Sequence, residues 1–74
     1  MPKLPIVSAK EVLKVLEHLD FVVYKQKGSH ITLRKDKLRV TVPYHKELKT
    51  GTLKSILRQA GLDQQKFIEL LEEV

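Results

Sequence analysis

The sequence predicts an α+β domain, with three antiparallel strands in one sheet, helices packed on one of its faces, and a short helix at the end. Three observations carry that expectation. Ser8-Ala9-Lys10-Glu11 reads as a capping box ahead of apolar residues at helical spacing. Residues 30–34 and 38–42 alternate apolar with polar, as half-buried strands do. A second helical stripe, Leu53, Ile56, Leu57 and Ala60, runs up to Gly61, a residue suited to ending a helix.

The elements follow in order. Two prolines, Pro2 and Pro5, suggest an extended lead-in. Val12, Leu13, Val15, Leu16 and Leu19 then build a first helix of about three turns, ending near Asp20. Phe21-Val22-Val23-Tyr24 is a β-prone run, and Gln26-Lys27-Gly28 forms a turn into the next strand. Tyr24 could stack on a base, but an aromatic in a central strand of so small a domain is more often core, which is the place expected for it. Lys35-Asp36-Lys37 is a polar turn before the third strand. Pro43 closes that strand because it has no amide to donate to the ladder. After Pro43-Tyr44-His45 a lysine-rich loop leads to a second helix starting at Thr50 or Gly51. Asp63 caps a last short helix, in which Phe67, Leu70, Leu71 and Val74 repeat the apolar spacing.

Size and charge restrict what such a domain can do. The 74 residues make a single domain, 1–74, too small to enclose a large pocket or cofactor. An enzyme of this size works on a surface or in a shallow groove, most naturally on a polymer. Lysine and arginine outnumber aspartate and glutamate by 14 to 9, a net charge of +5, which favours nucleic acid or an acidic protein as partner. With no cysteine there is neither a disulfide framework nor a thiolate zinc site. His18, His30 and His45 are too scattered to suggest a metal cluster. No secretory core or membrane-length apolar run is present, so a cytoplasmic, membrane-free protein, monomeric when free, is expected.

Chemistry concentrates at Lys27-Gly28-Ser29-His30 and the strand behind it. Alternation sends Ile31 and Leu33 to the covered face and leaves His30, Thr32 and Arg34 on the open one. An imidazole, a guanidinium and the ammonium of Lys27 side by side suit a phosphate. Lys25, Lys27, Arg34 and Arg39 are the candidate phosphate contacts; taken singly, each is as well explained as part of a solvated strand face. Ser29 can orient His30 or touch a phosphate, although serine after glycine is commonly a turn residue. His45 is the candidate for a second proton-transfer role, and otherwise a loop residue that orients the third strand.

These residues, together with Pro43-Tyr44-His45 and the run from Gly51 to Leu62, resemble the HicA family of small toxin ribonucleases, also called YcfA-like. The resemblance spans nearly the whole chain, in the family's order and spacing. It implies a double-stranded-RNA-binding-like α-β-β-β-α fold, endonuclease activity on mRNA, and neutralisation by a HicB-type antitoxin covering the active surface. It also implies that His30 is the catalytic histidine. One departure is visible: many relatives carry glycine before Phe21, where this chain has Asp20. Aspartate tolerates left-handed backbone less well, so the first helix is expected to end differently.

RNA brings its own nucleophile, the 2′-hydroxyl. A ribonuclease need only remove that proton, neutralise the phosphate and protonate the leaving oxygen. Histidine, which titrates near neutral pH, serves either proton transfer, and lysine or arginine stabilises the charge of the transition state. Such a scheme calls for no metal or cofactor, and none is expected. The alternative is a non-catalytic RNA-binding module of the same fold; a third reading is a small protein whose basic face serves only an acidic partner.

Overall fold

The computed structural model describes residues 4–74. Its elements are α1 (Ala9–His18), β1 (Val22–Lys27), β2 (His30–Lys35), β3 (Leu38–Pro43), α2 (Thr50–Ala60) and α3 (Gln64–Glu73). The strands form one antiparallel sheet in the order β1-β2-β3. Helices sit on one face, which gives the expected double-stranded-RNA-binding-like α+β arrangement with a third helix added. That last helix is not short: at ten residues it equals α1.

Local signals explain most boundaries. At the start of α1 the Ser8 hydroxyl accepts from the Glu11 amide at 3.2 Å, and the Glu11 carboxylate accepts from the Ser8 amide at 3.0 Å. This reciprocal pair satisfies two amides that the helix cannot. At the far end Asp20 takes φ +73°. Its amide donates to the Glu17 carbonyl, and that of Phe21 to the Leu16 carbonyl, each at 3.0 Å. That is the glycine-type helix stop, so the expectation that Asp20 would end α1 differently does not hold. Aspartate adopts the left-handed region at a modest cost, which the two carbonyl bonds offset. The end of α2 repeats the motif, with Gly61 at φ +67° and the Leu62 amide on the Leu57 carbonyl at 2.9 Å.

One apolar core joins the layers. The sheet contributes Ile31, Leu33, Val40 and Val42; α1 contributes Val12, Val15 and Leu16. Leu53, Ile56, Leu57 and Ala60 of α2 and Phe67 and Leu70 of α3 complete it. Each large side chain so buried contributes about 1.5–3 kcal/mol relative to exposure. No polar or charged residue lies in the core among the described residues. The segment before α1 is held to the β3–α2 loop by Val7, whose carbonyl accepts from the Leu48 amide at 2.8 Å, with both side chains buried.

The helix layer is not centred on the sheet. It packs mainly on β3, whose outer edge it also caps: the Thr41 amide donates to the Gln59 side-chain oxygen of α2 at 3.0 Å. The β1 side overhangs, and every residue of β1 is exposed. The second strand is therefore the central one and β1 an edge. Tyr24, expected in the core, is 49% exposed. The turn expected from Gln26 begins later, because β1 runs through Lys27 and the hairpin loop is Gly28-Ser29 alone.

Candidate nucleic-acid interface

The face of the sheet away from the helices is built from three cross-strand rows. Lys27 pairs with His30 and His30 with Pro43; Lys25 pairs with Thr32 and Thr32 with Thr41; Val22 pairs with Arg34 and Arg34 with Arg39. Directly opposed residues share a face, so these rows bring Lys25, Lys27, His30, Arg34 and Arg39 together on one surface. All five are exposed. The strands carry no aspartate or glutamate, so no carboxylate within the sheet neutralises them.

Strict alternation along β1 would not do this. Counted from Val23, which opposes the buried Leu33, every second residue would put Lys25 and Lys27 on the helix side. The register slips by one between Val23 and Lys25, leaving Tyr24 as an extra residue without its own partner. A bulge of this kind moves every following side chain to the opposite face. Beyond it Lys25 opposes Thr32 and Lys27 opposes His30.

His30 opens β2 immediately after the turn. Gly28, at φ +59°, occupies the first central position of that two-residue loop, where a hairpin of native twist asks for positive φ. Nothing crowds the position: a Cβ built on Gly28 meets no atom within 4 Å, so backbone conformation is what calls for glycine. The Ser29 carbonyl accepts from the Tyr44 amide at 2.6 Å, extending the β2–β3 ladder one step past the His30–Pro43 pair. Ser29 thus serves the turn through its backbone. The His30 imidazole makes no hydrogen bond among the described residues and projects from the end of the sheet free of a partner.

His45 is placed differently. Its amide donates to the Pro43 carbonyl at 3.0 Å, a tight reversal that takes the chain off the strand. Its carbonyl accepts from the Ala9 amide at 3.0 Å, satisfying one of the free donors of α1. The residue lines two shallow grooves, one shared with Leu48 and Thr52, the other with Ser8 and Lys10. His45 therefore lies against the starts of α1 and α2, and no hydrogen bond joins it to His30. His18 is exposed on α1.

At the other end of the basic face is a residue that the sequence reading weighs as a base-stacking aromatic but assigns to the core. Tyr24 presents its ring to two guanidinium groups, Arg34 at 5.1 Å and Arg39 at 5.9 Å from the centroid. Both distances are within cation–π range. The sequence carries no local sign of this, since it depends on β1 being an edge strand and on the slipped register. Among the described residues no three histidine, aspartate or glutamate side chains gather where they could hold a metal ion, and no helix is long and apolar enough to cross a membrane.

Residues 9–62 match the family model described as HicA toxin of bacterial toxin–antitoxin, well over half of the chain. The matched span contains all three strands, the basic face and both histidines considered for proton transfer. No curated protein is significantly similar to the chain.

Proposed function

The chain belongs to the HicA toxin family, the toxin side of a toxin–antitoxin pair, and we propose that it acts as a metal-independent endoribonuclease on mRNA. The observation that supports this reading best is the free His30 imidazole at one end of a cationic, carboxylate-free sheet face. In the reaction, His30 accepts the proton of a 2′-hydroxyl as its oxygen attacks the adjacent phosphorus. The P–O5′ bond breaks, and the leaving oxygen takes a proton, from the same imidazole or from solvent. The products are a 2′,3′-cyclic phosphate and a 5′-hydroxyl. Lys27, directly across the strand pair from His30, supplies positive charge for the extra negative charge of the transition state. Lys25, Arg34 and Arg39 hold neighbouring phosphates. Ser29 shapes the turn, and His45 is auxiliary. A HicB-type antitoxin neutralises the toxin by covering this face.

The test is cleavage of a defined mRNA by the purified protein and by His30→Ala, with the ends of the fragments identified. Cyclic phosphate and 5′-hydroxyl ends from wild type alone, undiminished by a chelator, are expected. Fragments ending in 3′-hydroxyl and 5′-phosphate would refute the mechanism.

A second reading, a non-catalytic RNA-binding module, draws on one observation: among the described residues the His30 ring has no hydrogen-bonded partner to orient it or select its tautomer. The same assay separates the two, since a binding module retains RNA without cutting it, with or without His30.

A further inference from the structure

Resting on the RNA reading, we propose that Tyr24, Arg34 and Arg39 form a nucleotide-binding subsite remote from the cleaved phosphate, which takes the base of the same RNA strand on the Tyr24 ring and its phosphate on the two guanidinium groups. The two arginines oppose each other across β2 and β3, an arrangement of like charges that costs stability when nothing lies between them. Among the described residues their partner is the Tyr24 ring, and a cation–π contact at an exposed site is weak. Two forked donors held together, with no carboxylate on the sheet to take them, retain an unmet capacity for an anion.

The ring itself answers to a base. Tyr24 is the extra residue at the bulge, half-exposed on an uncovered edge strand, and it contributes nothing to the core. An exposed aromatic beside arginines is the arrangement single-stranded nucleic acid uses for stacking with backbone contact.

Its position sets which nucleotide it takes. Arg34 is four residues along β2 from His30, roughly 13 Å at the rise of a strand. Stacked nucleotides advance about 3.4 Å each, so the subsite receives a nucleotide up to about four steps from the scissile phosphate, fewer if the strand is stretched. The consequence is a dependence on substrate length. A dinucleotide reaches His30 but not Tyr24, whereas a hexanucleotide spans both.

The experiment compares kcat/KM for a dinucleotide and a hexanucleotide in wild type, Tyr24→Leu and Tyr24→Phe, each checked by thermal melting. Binding of a 2′-O-methyl hexanucleotide, which cannot be cut, is measured alongside. Wild type is expected to prefer the longer substrate, and Tyr24→Leu to shrink that preference about ten-fold, with a similar loss in binding of the uncut hexamer. Tyr24→Phe keeps the ring and restores both. A preference unchanged by Tyr24→Leu, or an equal loss on both substrates, overturns the subsite while leaving ribonuclease action in place. Wild type that cuts neither substrate, yet binds the methylated hexamer in a Tyr24-dependent way, refutes catalysis and keeps the subsite. Absence of both cleavage and binding sinks the two together.

Discussion

His30 stands clear of the core at the mouth of a hairpin, so under the proposed ribonuclease reading its replacement bears on chemistry and not on folding. His30→Ala is expected to shift stability by no more than about 0.5 kcal/mol. Cleavage should fall by about 10²–10⁴-fold, the share general acid–base catalysis supplies, with RNA affinity nearly unchanged. Melting, a single-turnover cleavage assay and a filter-binding titration check the three parts. His45, tied by its carbonyl to the Ala9 amide, should behave otherwise: His45→Ala retains cleavage within about ten-fold of wild type. Asp20 offers a purely conformational test. Its φ of +73° is one that glycine takes without strain, so Asp20→Gly should raise stability by about 1 kcal/mol in denaturant unfolding. A core residue gives the contrast: Leu33→Ala, at a fully buried position, costs about 2–5 kcal/mol.

The elements differ in how well they could be read before the structure was known. α1, α2, β2 and β3 were legible because their signals are local: a capping box, two apolar stripes, Gly61, and alternation through Ile31, Leu33, Val40 and Val42. The third helix was placed correctly from Asp63 and its stripe, and only its length was underestimated. The first strand resisted for two physical reasons. Its exposure depends on helices that pack toward β3, a tertiary fact invisible in a window around Val22-Val23-Tyr24. Its faces depend on one unpaired residue, and a single slip reverses every assignment after it. The basic residues of the face were thus identified by type, but the alignment of Lys25 and Lys27 with His30 was not derivable from alternation. Deleting Tyr24 tests this account. Every other β1–β2 pair already matches a ladder without it, so the shortened protein should fold, with β1 amides at least as protected from hydrogen exchange as in wild type. Loss of the β1–β2 pairing on deletion would show that Tyr24 is needed for the register itself.

Across the molecule, charge is divided. Cations cover the open sheet face, whose strands carry no carboxylate, while Glu69, Glu72 and Glu73 are exposed at the end of α3. Four phosphates neutralised by Lys25, Lys27, Arg34 and Arg39 should give affinity for uncut single-stranded RNA a logarithmic salt slope of about −3. Removing one of these cations should flatten the slope by about 0.7, and a slope near zero would contradict an electrostatic grip. The slipped register bears, finally, on what the chain does in the company of its own copies. An unpaired strand edge is a template for another strand, and β1 offers one flanked by the exposed Val22 and Val23. The bulge interrupts that row of amides and carbonyls, and the two lysines beyond it repel a second identical edge. Toxin left without antitoxin therefore resists piling strand upon strand into aggregates, and the form lacking Tyr24, its edge made regular, should be the one that precipitates first on concentration.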